Sequence, residues 1–242
     1  ISGLRRIGKS WVMKQALSQI DEAEADVAYL NIEELTEPAE LISEVLALLP
    51  KGMKDHLASA LEQGKQAPDG IMNWVKKHFK SAKGMGLGVE LNDEIRKEWK
   101  PLAQHLSKLA IKRERPFFLA LDEVPFFLEN LLDKGYSTSD CKLVLALLRG
   151  WRDAGIQLIF GGSVSLENML VANDIPRSLL GGLDIVEVMP FSETEMVAFL
   201  NELAKGHELG WWLPEHNEQV REVLCDTYPY FAKLAMEHIG LI

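Results

Sequence analysis

Two glycines, a lysine and a serine at fixed spacing constrain this chain more than any other feature. Residues 3 to 10 read Gly3-Leu4-Arg5-Arg6-Ile7-Gly8-Lys9-Ser10. Glycine at the first and sixth places of this run lets the backbone curl so that successive N–H groups point inward. A helix starting near Lys9 would add the positive end of its dipole to the same spot. Such a loop suits phosphate oxygens, with Lys9 reaching the β- and γ-phosphates of a nucleotide and the Ser10 hydroxyl coordinating Mg²⁺. The expected cradle is Gly3, Leu4, Arg5, Arg6, Ile7, Gly8, Lys9, Ser10 and Trp11. The pattern alone can arise by chance, but here it lies between an apparent strand end and an amphipathic helix. Arg5 and Arg6 stay open between touching phosphate and being solvated or paired with acidic neighbours.

The pattern beyond the loop alternates strands with helices. Lys9 to Asp21 reads as a helix, Asp26 to Asn31 as a strand, and Leu41 to Leu49 as an apolar helical run. From Pro50 to about Lys97 no clear period holds, so this region is expected to be a helical and loop insert, with a short strand or hairpin at Gly86 to Leu91. Trp99 to Ile111 reads as a helix. Pro116 to Leu121 is a continuous apolar run, as expected of a strand covered on both faces. A helix over Cys141 to Ala154, a strand at Gln157 to Phe160, a helix over Val164 to Ala172 and a strand at Asp184 to Met189 follow. This alternation implies a parallel sheet with helices on both faces. After Pro190 only helical patterns remain, at Glu193 to Leu203, Pro214 to Asp226 and Tyr230 to Ile239. The domains expected are an α/β core over 1–190, with an insert at about 50–97, and a small helical unit over 191–242.

The strand at 117–121 runs into Asp122 and Glu123. In a parallel sheet its carboxyl end would lie beside the phosphate loop. Asp122 would then hold Mg²⁺ through water, and Glu123 would orient and deprotonate an attacking water. The structural alternative is an acidic cap on the next helix. Gln157 to Phe160 leads into Gly161, Gly162 and Ser163, where Ser163 could sense the γ-phosphate or position the water. A helix N-cap explains this serine equally well.

Composition narrows the partners. The 242 residues carry 26 Lys and Arg against 36 Asp and Glu, a formal net charge of −10, which speaks against the phosphate backbone of nucleic acid as a partner. Lys76, Lys77, Lys80 and Lys83 form a local basic cluster, expected to be a solvated helix face. The two cysteines, Cys141 and Cys225, share no metal-ligand spacing, and a reduced, cytoplasmic setting is expected. The longest apolar stretch, Pro116 to Leu132, is broken by Asp122, Glu123 and Glu129 and does not qualify as a membrane span. The six histidines show no paired metal spacing. Trp211 and Trp212 are expected to pack between the two domains, with a partner surface as the alternative. The chain starts without methionine inside an apparent strand, and so reads as a piece of a longer protein.

The run GLRRIGKS, with paired arginines before the second glycine, and LALDEVPFFL, with a proline soon after the acidic pair, resemble the archaeal-type ATPase family of AAA+ and STAND-like P-loop NTPases. IFGGSVSLENML and VMPFSETEMVAFL are similar to later parts of that family's pattern. The resemblance covers nearly the whole chain, and its first two motifs are the specific ones. It implies a three-layer α/β/α P-loop NTPase with a parallel sheet ordered 5-1-4-3-2 and a C-terminal helical lid. It also implies a first strand and an adenine-side segment ahead of Ile1. The chain departs from the family at Asp226-Thr227-Tyr228-Pro229-Tyr230-Phe231, where the lid turn keeps its proline and aromatics without glycines. Lid arginine is absent, and Lys233 is a weak substitute. Arg177 is either a charge-stabilising finger or a surface arginine.

Together these features imply a Mg²⁺-dependent protein binding ATP and ADP, and an ATPase whose hydrolysis resets a conformational or assembly switch. Its expected catalytic residues are Glu123, Lys9, Ser163 and Arg177, its metal residues Ser10 and Asp122, and its expected partners a nucleotide and a protein or second copy. No Asn-Lys-x-Asp run is present to read guanine. The alternative is a nucleotide-binding interaction module with negligible turnover. A small-molecule kinase would need an acceptor pocket and an arginine-rich lid, and neither is visible.

Overall fold

The computed structural model describes residues 1–3, 5–55, 99–100, 103, 115–224 and 227–240. Leu4, the expected strand at Gly86 to Leu91, the lysine cluster at 76–83 and all but three residues of the expected helix at Trp99 to Ile111 lie outside them.

Three strands form a parallel sheet in the order β1-β2-β3: β1 is Asp26–Asn31, β2 Phe117–Asp122 and β3 Gln157–Phe160. The register pairs Asn31 with Asp122 and Leu121 with Phe160, so the carboxyl ends of all three strands finish at one edge. β2 is central and its apolar run is buried along both faces, which is why it reads as continuous rather than alternating. Phe117, Leu119 and Leu121 face one hydrophobic cluster, and Phe118 and Ala120 face another.

Helix α1 (Lys9–Ser18) covers the second of these faces through Met13 and Leu17. The first face is covered by α2 (Pro38–Leu48), α3 (Val124–Asp133) and α4 (Thr138–Asp153). Proline at the first turn of α2, spanned by a reciprocal Glu37–Glu40 capping box, fixes where that helix begins. Ser137 and Asp140 do the same for α4. The indole of Trp151, fully buried on α4, donates to the Ala103 carbonyl at 3.0 Å and ties the segment around 103 to the core. Helix α5 (Leu166–Ala172) and a 3₁₀ turn at Arg177–Leu180 follow β3.

Past Pro190 come α6 (Glu193–Gly206), α7 (Pro214–Leu224) and α8 (Pro229–Ile239). They surround a hydrophobic cluster of their own, built on Met196, Leu200, Ala204, Ala232 and Met236. Trp212 packs within this cluster, its indole N–H donating to the buried Asn217 at 3.0 Å, while Trp211 remains more than half exposed. Among the described residues Trp212 meets this cluster and Trp211 meets Trp212 and His216, contacts that lie within the helical group, where the sequence reading expects packing between two domains.

Two elements differ from the sequence reading. The run 184–189 is no regular strand: a single parallel bridge joins Glu187 to Ser2, flanked by hydrogen bonds from Ser2 to Val186 and from Val188 to Ser2. Ser2 is its strand partner among the described residues, and one pairing cannot propagate into a ladder. Conversely, α3 (Val124–Asp133) occupies residues to which the sequence reading gives no range, raising a helix there only through the acidic-cap alternative for the Asp122–Glu123 pair.

Candidate functional site

The residues around the glycine run lie by the carboxyl ends of the strands: the Ile1 nitrogen donates to the Phe160 carbonyl, and Asp122 and Glu123 act on Lys9. Gly3 has φ +145°, and a Cβ there would stand 2.6 Å from the Val188 carbonyl oxygen, so only glycine lets the loop lie against the 184–189 segment. Arg6 and Gly8 both have positive φ, at 65° and 96°. Gly8 is the N-cap of α1, in left-handed conformation and without a side-chain cap, and open space lies where its Cβ would be. The first intrahelical bond runs from the Val12 N–H to Gly8, so the N–H groups of the first helical turn stand outside the helix ladder. Backbone N–H groups left outside the ladder at a helix start, beside a glycine in left-handed conformation, are an arrangement that suits an anion.

Lys9 begins α1 and is 6% exposed. Its Nζ donates to the Gly3 carbonyl at 2.9 Å, closing the loop on itself. Burial pulls this ammonium below the ordinary lysine range, while the negative charges of Glu123 and Asp122 act in the opposite direction. Both carboxylates are therefore within electrostatic reach of the lysine.

Asp122, the last residue of β2, is 1% exposed. Its Oδ2 accepts from the Tyr29 hydroxyl at 2.7 Å and its Oδ1 from the Glu123 backbone N–H at 3.1 Å. Burial pushes the Tyr29 phenol up, hydrogen bonding to Asp122 adds to the shift, and the Ser10 side chain opposes it. Ser10, the second residue of α1, and Asp122 both act on this phenol, whose ring packs against α1. The oxygen donors of Ser10 and Asp122 are the hard type that a divalent magnesium ion takes.

Glu123 is the N-cap of α3 with φ 64° and ψ 36°, and its side chain makes no capping bond. The carboxylate turns instead to Ser163, whose backbone N–H and hydroxyl donate to Oε2 at 2.8 and 2.9 Å. Ser163 does not cap the helix that follows it. Ser165 caps α5, accepting from the Asn168 N–H. Gly161 and Gly162 lie between β3 and Ser163, and a Cβ on either would overlap Asp122 and Met13 or Pro125, at 2.3 to 2.6 Å. The small residues therefore let the β3 turn close over the acidic pair.

Other expected residues lie differently. Arg177, in the 3₁₀ turn, forms an exposed ion pair with Glu167 at 3.8 Å. Lys233 pairs with Glu237 on its own helix. Trp11 is 67% exposed, and its side chain stands out from the cradle. Arg6 turns its guanidinium over the Tyr230 ring, 4.5 Å from the centroid, joining the loop to the start of α8. Tyr29 was not singled out by its sequence context. Its contact with Asp122 depends on two strands 93 residues apart, so no local pattern marks it.

With this geometry in place, the chain can be compared with known proteins. No family model matches it, and no curated protein matches its sequence. Among solved structures it is similar to the ORC2 protein of Aeropyrum pernix in its ADP form, at 15% identity and a TM-score of 0.55, over 98% of this chain and 53% of that one. It also matches the ORC1 protein of the same organism in complex with DNA, at 16% identity and a TM-score of 0.47, over 84% of this chain and 42% of that one. The likeness to ORC2 is one of fold. This chain spans about half the length of that protein. Among the described residues, no helix is long and apolar enough to cross a membrane and no group of three or more His, Cys, Asp or Glu is poised for a metal.

Proposed function

We propose that this chain binds ATP with Mg²⁺ in the Gly3–Ser10 cradle and hydrolyses it, using the energy to reset a conformational or assembly switch. The observation that carries the reading is the gathering of Lys9, Ser10, Asp122, Glu123 and Ser163 around one sheet edge. Lys9 senses the charge of both carboxylates, and Glu123 is held by Ser163. The ADP form of the similar ORC2 structure supports nucleotide as the ligand of this fold.

In this reading the backbone of Gly3, Leu4, Arg5, Arg6, Ile7 and Gly8 and the first turn of α1, with Lys9, Ser10 and Trp11, cradle the phosphates. Ser10 and, through water, Asp122 hold the Mg²⁺, which supplies charge neutralisation at the phosphate oxygens. Glu123 accepts the proton of the water that attacks the γ-phosphorus, and Ser163 keeps its carboxylate aimed. The core spans 1–190 and a helical lid 191–242, with the Arg6–Tyr230 contact joining them. The Ser2–Glu187 bridge and the hydrogen bond from the Ile1 nitrogen to the Phe160 carbonyl support a five-strand order of 5-1-4-3-2. The net charge of −10 favours a protein or a second copy over nucleic acid as the partner.

A second reading, a nucleotide-binding module with negligible turnover, is favoured by one observation. Arg177 pairs with Glu167 and Lys233 with Glu237, so two expected cations are engaged elsewhere. The test is ATP hydrolysis beside ADP binding, for the parent chain and for Glu123→Gln. Turnover that disappears in the variant while binding survives supports the ATPase. Binding without turnover in the concentrated parent selects the module, and absence of binding overturns both.

A further inference from the structure

The two oxygens of Asp122 have different surroundings. Oδ1 accepts the Glu123 N–H and lies against Gly161, where a Cβ would stand 2.3 Å away. Oδ2 accepts from Tyr29 alone among the described hydrogen bonds, at 2.7 Å. A carboxylate oxygen offers two lone-pair directions, so Oδ2 keeps one for a further donor. Ser10 is the second residue of α1, the helix that packs on the Tyr29 ring through Met13 and Leu17.

The phenol is itself fixed. Its ring packs with Met13, Leu17 and Ala120 between the sheet and α1, and Lys14 Nζ lies 4.5 Å from its centroid. A ring packed on one side and covered by a cation on another holds its hydroxyl in place, and the hydroxyl holds the carboxylate. A buried carboxylate without such a donor would be free to change rotamer or to seek another partner.

We infer that Tyr29 is a positioning residue for a divalent cation, fixing Asp122 so that the free lone pair of Oδ2 is presented on the side of Ser10. The inference rests on the nucleotide site proposed above and adds a residue to it. Partners that orient a ligand from outside the coordination shell typically account for about 10–100-fold in metal affinity.

The test uses the whole chain, parent and Tyr29→Phe, with a fluorescent N-methylanthraniloyl ADP as probe. Its affinity is measured in EDTA and then across a Mg²⁺ titration. The expected result is unchanged affinity in EDTA, with the Mg²⁺ concentration that half-saturates the effect raised about ten-fold or more in the variant. A parent that responds to Mg²⁺ and a variant that responds identically would remove Tyr29 from this role and leave the nucleotide site intact. A lower midpoint in the variant would make the phenol a competitor of the cation and overturn the assignment. An equal loss in EDTA and in Mg²⁺ would make Tyr29 a packing residue only. A parent that binds the probe with no Mg²⁺ response would overturn the cation site itself, and the inference with it.

Discussion

Ser163 meets Glu123 twice, its backbone N–H and its hydroxyl both donating to Oε2, at 2.8 and 2.9 Å. Glu123 also sits in the left-handed region, at φ 64°, where a side chain costs about 1 kcal/mol or more unless its surroundings hold it. The pair of bonds is such a hold. It joins the turn after β3 to the end of β2 across the sheet edge, and it gives the carboxylate a single orientation.

Replacing Ser163 by alanine removes one of the two donors and keeps the other. With Glu123 as base, kcat should fall about ten-fold, the equivalent of about 1.4 kcal/mol. ADP affinity should stay within about two-fold, because the lost bond is made to the base and not to the cradle. Steady-state kinetics beside equilibrium binding would check this. A loss of affinity with kcat unchanged would instead place Ser163 on the nucleotide.

Gly161 is closed in by chemistry on both sides. A Cβ there would lie 2.3 Å from Asp122 Oδ1 and 2.3 Å from Met13 Cε. Gly161→Ala should destabilise the fold by about 1–3 kcal/mol, as overpacking of a filled core does. Gly206, near the end of α6, has nothing within 4 Å of its Cβ position and is the control. Its alanine variant should match or exceed the parent, by up to about 1 kcal/mol. Urea midpoints of the three chains decide the matter, and equal midpoints would mean that the β3 turn shifts freely.

The buried Cys141 gives a pH signature. Its thiol is pushed up to about 11 by burial, with the Asp140 charge adding to the effect. In the unfolded chain the thiol loses its proton near its ordinary value of 9.0, while the folded chain still holds it. The unfolded state therefore binds fewer protons over this window, and stability falls with rising pH. The contribution is full below about pH 9 and drains away as the pH approaches 11. Cys141→Ala should lose stability to urea less steeply across that window than the parent, whatever its starting stability. Parallel slopes would show that the folded thiol titrates like the unfolded one.

What was legible in the sequence was local chemistry. The spacing from Gly3 to Ser10 specifies a curled backbone because only glycine tolerates the φ angles found at Gly3 and Gly8. The strand β2 was legible because a run buried on both faces carries no polar break until Asp122. The same uniform hydrophobicity left the bounds of α3 unread: periodicity cannot separate strand from helix where most residues are apolar, and the switch occurs at the backbone of Glu123. The run 184–189 has the composition of a strand, yet pairing needs a neighbour, and the described structure supplies one bridge through Ser2.

The sequence by itself determined the phosphate-type loop, the acidic pair at the end of an apolar strand, and the alternation that makes a parallel sheet. Tertiary structure alone decided that Tyr29 meets Asp122, that Ser163 serves Glu123 and leaves helix capping to Ser165, and that Arg177 turns to Glu167. The reason is one of range. Backbone dihedrals and helix caps act over a few residues and leave a mark in a short window. A hydrogen bond between side chains 93 or 40 positions apart exists only once the strands have paired in register and their carboxyl ends meet at one edge.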